Sequence, residues 1–132
     1  MHIGLIGGIG PAATDYYYRG LIRALAAKGK TLELTIAHAD APTLIGNLER
    51  GDAAAQAAIF ATLIGRMKAA GAEAAAISSI GGSFCIDALR PLSPLPLIDI
   101  IEEVDTVLQA RNLKKVGLIG TRTVMETRFY GG

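Results

Sequence analysis

One strand-to-helix passage occurs twice in this chain, and the repeat limits what the chain can fold into. GLIGGIGPAATDYY at 4–17 lies over GLIGTRTVMETRFY at 117–130 without a gap, at a constant offset of 113 residues. Gly4, Leu5, Ile6, Gly7, Thr14 and Tyr17 recur as Gly117, Leu118, Ile119, Gly120, Thr127 and Tyr130, and Tyr16 is matched by Phe129. Self-similarity at a fixed offset reports a repeated architectural unit. Each copy reads as a short, wholly apolar strand that ends in Gly and runs into a helix start. A strand without polar alternation is buried on both faces, as in a parallel sheet covered by helices. The expectation is a first α/β lobe over 1–112, followed over 113–132 by the first strand and helix start of an incomplete second lobe.

The stretch between the copies keeps the same rhythm. Apolar runs predict strands near 2–7, 32–38, 73–79, 95–99 and 114–120, with helices near 12–28, 53–71, 83–90 and 100–111. Gly51-Asp52 reads as a stop followed by a helix cap, and Gly71 as the end of the helix that Asp52 opens. Pro91, Pro94 and Pro96 separate a short helix from the fourth strand. The connection ADAPTLIGNLERGD at 39–52 predicts a short helix around 43–50. Alternating strands and helices with right-handed crossovers give a flavodoxin-like parallel sheet flanked by helices, strand order 2-1-3-4.

Composition narrows the function classes. The chain is 51% hydrophobic, yet no uncharged apolar run approaches the ~20 residues of a membrane span. Net charge is +1 with no Lys/Arg-rich run, so neither nucleic acid nor an anionic membrane is called for. The opening MHIGLIGGIG lacks a basic leader, and the lone Cys85 fits a reducing cytoplasm. His2 and His38 lie too far apart in sequence to give metal-ligand spacing.

In such a sheet, ligands bind beyond the carboxyl ends of the strands. The strand ends to examine are Gly7–Thr14, His38–Asp40, Ser78–Ser83 and Gly120–Thr123, three of them rich in Gly, Ser and Thr. The loop at 7–14 opens a helix, where unpaired backbone N–H groups and the helix dipole favour an anion. A small carboxylate fits that loop. A merely structural turn and a dinucleotide site are alternatives, because Gly8 to Ala13 also matches G-x-G-x-x-A. The acidic residue a dinucleotide needs about 20 positions on is missing from its place, with only Glu33 and Asp40 further along. Ser79 ends the third strand, and Gly81-Gly82 allow close backbone approach. Ser83 reads as a helix cap, Cys85 as a packed thiol, and His38 as a structural histidine ahead of an acid/base.

Taken together, GLIGGIGPAAT, GAEAAAISS, PLSPLPLIDIIEE and KKVGLIGTRTVMETRFY resemble the aspartate/glutamate racemase family, over the whole chain but only the first half-plus of a member. The resemblance implies two similar α/β lobes with the active site between them and no cofactor, neither pyridoxal phosphate nor any other. A cysteine from each lobe then faces the substrate Cα, one removing the α-proton and the other protonating the opposite face. Matching Ile77 and Asp87-Ala88-Leu89 to the family puts Ser79 at the first cysteine position, a weak base. Ile80 and Gly81 then stand where the family has Asn and Thr. The candidate catalytic residue is therefore Ser79. The candidate substrate contacts are Gly8, Ile9, Gly10, Thr14, Ile80, Gly81 and Gly82, with Thr121, Arg122 and Thr123 opposite. Arg122 is the nearby cation. The implied reaction is proton transfer at Cα of aspartate- or glutamate-like acids. A one-base decarboxylase or isomerase, a non-catalytic carboxylate-binding module and a dinucleotide-binding domain are the alternatives. The expected partners are a small carboxylate or amino acid and a second copy of the chain, as a dimer.

Overall fold

The computed structural model describes residues 1–120 and 122–126. Its centre is β1 (His2–Gly7), buried from Ile3 to Gly7. On one side β1 pairs in parallel with β2 (Glu33–His38), from His2 opposite Glu33 to Gly7 opposite His38. On the other it pairs with β3 (Ala74–Ile77), which pairs in turn with β4 (Leu97–Ile98). The order β2-β1-β3-β4 is the predicted 2-1-3-4. The fourth strand is only two residues long, shorter than the predicted 95–99. Pro94 and Pro96 have no N–H to give a ladder, and Pro96 serves only through its carbonyl, which accepts from Ala75 N–H at 2.9 Å.

The helices start where their capping chemistry places them. In α1 (Pro11–Ala27), proline occupies the first turn and Gly10 precedes it in the left-handed region at φ 88°. Asp40 caps α2 (Ala41–Glu49) through Thr43 N–H, and Asp52 caps α3 (Ala53–Ala69) through Ala55 N–H. Asp99 caps α5 (Ile100–Ala110) through Ile101 N–H. Gly71, at φ 100°, ends α3 with its N–H on Lys68 C=O, while Ala72 N–H reaches Met67 C=O. The helix expected at 83–90 differs. A 3₁₀ segment, Ile80–Cys85, comes first, and only then α4 (Ile86–Leu89). Ser83 caps nothing; it is buried inside the 3₁₀ segment, because the chain turns at Ser79, four residues earlier.

Right-handed crossovers send α1 and α3 to opposite faces of the sheet, since β2 and β3 flank β1 on opposite sides. The core fills the α3 side. Ile6, Phe60, Ile64, Met67 and Leu89 are at most 1% exposed there. Small strand residues let α3 come close: a Cβ on Gly4 would stand 2.9 Å from Met67 Sδ. Across the sheet, α1 buries no residue completely, and Tyr16 and Tyr18 stand in solvent.

Residues 114–120, expected to form a strand, form no ladder among the described residues and are exposed. A strand is defined by its partner, and none of the four strands lies beside this segment. The chain then enters α6 (Arg122–Glu126). No described helix is long and apolar enough to cross a membrane.

Candidate carboxylate cleft at the strand ends

Beyond the carboxyl ends of β1 and β3, two loops are held together by hydroxyls. Ser78 N–H and Ser78 Oγ both donate to Ile6 C=O, at 3.0 and 2.9 Å. Thr14 Oγ1 lies 3.2 Å from Ser78 Oγ and accepts from Gly8 N–H at 3.1 Å. The Ser78 proton faces the Ile6 carbonyl, so the Thr14 proton is free to point at Ser78 or at Gly10 C=O, 3.3 Å away. The result is a chain of hydrogen bonds from the first loop to the end of the third strand. Ser78 is 1% exposed. The sequence places Thr14 among the candidate ligand contacts and Ser78 only at the strand end. In the structure the two hydroxyls join the loops to each other.

Gly8 has φ 90°, and any Cβ there would meet the His38 ring and come within 2.6 Å of Ala39 C=O. The backbone therefore turns where no side chain fits. His38 is exposed and covers this turn. The first-turn N–H groups of α1 face the same end of the sheet without a side-chain cap. Gly82 is buried under the second loop. A Cβ on it would come 2.7 Å from Ile77 Cγ2 and 3.2 Å from Ile9 Cδ1.

Between the loops opens a cleft of about 490 Å³, within the range of small-molecule sites. Of the residues expected to touch a ligand, Ile9, Gly10, Ser79, Ile80 and Gly81 line it. Gly8, Thr14 and Gly82 are not in the lining. Arg122 does not line it: its guanidinium pairs with Glu126 at 2.9 Å on the outside of α6, and its side chain is 85% exposed. Thr121 lies outside the described residues, and Thr123 is described only as part of the α6 backbone.

The far wall is one that sequence reasoning missed. Leu44, Ile45, Leu48 and Glu49 of α2 line the cleft, and Val124 of α6, 5% exposed, closes it. The signal was present as apolar residues at 44, 45 and 48 in the connection after β2. That spacing fits one face of a helix, but only the fold shows that the face borders the cleft.

Ser79 is half-buried, in extended backbone, and its hydroxyl makes no hydrogen bond among the described residues. Cys85 is 1% exposed, donates to Gly82 C=O at 3.4 Å, and does not line the cleft. Burial pushes its thiol up to about 11, so it is a packed group at neutral pH. Asp40, at the end of β2, is held below the usual carboxylate range by the Thr43 hydroxyl and backbone N–H, consistent with a cap. No group of three or more metal-ligating side chains exists among the described residues.

Solved structures share this fold. A candidate Asp/Glu racemase from Yersinia pestis superposes with a TM-score of 0.86 at 27% identity, over 98% of this chain and 58% of its own. An aspartate racemase homologue from Pyrococcus horikoshii OT3 superposes with a TM-score of 0.84 at 29% identity, over 98% of this chain and 57% of its own. The chain thus spans less than two thirds of either protein. Curated protein sequences give no match. The signature of the Asp/Glu/Hydantoin racemase family runs through residues 6–132, from the first glycine-ended strand to the last residue, and the chain belongs to that family.

Proposed function

We propose that this chain supplies the carboxylate-binding half of a cofactor-independent amino-acid racemase site, with Ser79 at the position of the family's first cysteine. The observation that carries the reading is the cleft itself. Gly10, Ser79 and Gly81 line it at the carboxyl ends of β1 and β3, next to the uncapped start of α1. Backbone N–H groups and a hydroxyl there suit a carboxylate that gains negative charge as its α-proton leaves. Inversion also needs a base on one face of Cα and an acid on the other. Among the described residues the Ser79 hydroxyl is hydrogen-bonded to no base that could take its proton, and Cys85 is a buried neutral thiol outside the cleft. The chain alone therefore binds more than it catalyses.

The same proposal assigns residues 113–132 to the start of a second lobe, which supplies the opposite acid. It includes a dimer or larger assembly in the cytoplasm. The apolar side chains of Val116, Leu118 and Ile119 stand at least 46% exposed, which supports pairing of that segment with another surface.

A second reading, a carboxylate-binding module without catalysis, is favoured by the missing thiol at position 79. Two measurements separate the readings. Titration with aspartate and glutamate, followed through backbone amide signals, should move Gly8–Gly10 and Ser79–Gly82; unmoved signals reject the carboxylate site. Cα deuterium exchange in heavy water reads the base. Slow exchange on one enantiomer supports a one-sided half-site, and none at all supports the binding module. Brisk interconversion of L- and D-aspartate by the 132-residue chain would overturn both.

A further inference from the structure

The α2 wall of the cleft decides which carboxylates fit, an inference that rests on the carboxylate site proposed above. Beyond the loops at Gly10 and Ser79, the lining turns apolar through Leu44, Ile45, Leu48, Ile80 and Val124. Ile45 is 51% exposed, so a large branched side chain stands open to solvent at the rim. Among the described residues of the lining, the one with a formal charge is Glu49, a carboxylate. No described Lys or Arg lines the cleft, and Arg122, expected to do so, is paired with Glu126 outside it.

A ligand whose α-carboxylate sits at the glycine and serine loops directs its substituent toward this wall. A second carboxylate there loses its water, finds no cation among the described residues and approaches Glu49, so both desolvation and like charge oppose it. A branched or aromatic substituent instead covers Ile45 and Leu48 and removes apolar surface from water. We infer that the chain selects carboxylates bearing one apolar substituent over the dicarboxylic acids aspartate and glutamate.

The test is a two-dimensional titration of the 132-residue chain, read at backbone amides and at isoleucine and leucine methyl groups. The probes are L-leucine, L-phenylalanine, L-aspartate and L-glutamate. L-Leucine and L-phenylalanine should shift the Gly8–Gly10 and Ser79–Gly82 amides together with the Ile45 and Leu48 methyls. Aspartate and glutamate should bind roughly ten-fold more weakly. Ile45→Arg, at a half-exposed position that leaves the core intact, should reverse the order by adding the missing cation. Dicarboxylates binding the unmodified chain as tightly as leucine would overturn the inference while leaving the carboxylate site standing. Amide shifts without methyl shifts from leucine and phenylalanine would overturn it too, by placing the substituent elsewhere. No shift from any of the four probes would remove the carboxylate site, and the inference with it. An unchanged order in Ile45→Arg would show that α2 does not set selectivity.

Discussion

Thr14 Oγ1 and Ser78 Oγ lie 3.2 Å apart, although 64 residues separate them in the chain. This contact joins the loop after β1 to the end of β3. Thr14→Val keeps the shape but removes the acceptor for Gly8 N–H and the donor toward Ser78. A loss of about 1–2 kcal/mol is expected in urea unfolding. Ser78→Ala should cost less, because Ile6 C=O keeps its bond from residue 78 N–H. The double variant should fall short of the summed losses by at least about 0.5 kcal/mol. Strict additivity would show that the two hydroxyls do not act together.

The neighbouring glycines 81 and 82 should behave oppositely. Gly82→Ala forces a methyl to 2.7 Å from Ile77 Cγ2, and both the strand end and Ile9 must shift. A loss of about 1–3 kcal/mol is expected. At Gly81 an added methyl meets only Ser79 Oγ, at 3.6 Å. Gly81→Ala should change stability by less than about 0.5 kcal/mol while narrowing the cleft. Chemical denaturation checks the first pair of values, and amide titration with a carboxylate checks the second.

Cys85 gives a pH dependence with a defined sign. Its thiol is raised from 9.0 to about 11 by burial, so the folded state holds the proton to higher pH than the unfolded state does. Its contribution to stability is fully present below pH 9 and is lost as pH rises through 11. Each pH unit in that window is worth up to about 1.4 kcal/mol. Urea melts at pH 7, 9 and 10.5 should therefore fall more steeply for the wild type than for Cys85→Ala, which cannot titrate there. Parallel pH profiles would show that the site does not hold its proton. Thiol reagents should leave Cys85 unmodified at pH 7 until the chain unfolds.

Ser79→Cys is expected to gain slow deuterium exchange at Cα of one enantiomer and no interconversion. The new thiol starts from an ordinary pKa of about 8.5. Ile80 and Gly81 still offer no side-chain polar contact beside it. Losing one of two coupled catalytic groups removes most of a rate, so restoring one gains little. Interconversion by the Ser79→Cys chain alone would show that a second acid is present within residues 1–132.

Arg122→Ala should leave carboxylate affinity within about two-fold, since an exposed i,i+4 pair outside the cleft contributes little. A loss of ten-fold or more would place the guanidinium on the ligand.

The local rules read well from the sequence because they are local. Gly7 closing an apolar strand, Asp52 capping α3 and Gly71 ending it each depend on a few neighbouring residues, and each stands where expected. Sheet order followed as well, since unbroken apolar strands separated by helices leave few parallel arrangements. Strand 114–120 did not follow. Apolar periodicity reports a readiness to pair, whereas a ladder needs a second backbone, and none of the four strands runs beside that segment. The cleft depended still more on tertiary structure. Sequence assigned Gly10, Ser79 and Gly81 to the ligand but left Ser78 as a strand end, whereas its hydroxyl acts on Ile6 and Thr14. Nor did it place Ile45, Leu48 and Val124 on the cleft wall. Those side chains come from separate elements, and only the packing of α2 and α6 against the two loops brings them together. Periodicity along a chain shows which residues avoid water, and the three-dimensional arrangement decides which of them face a ligand.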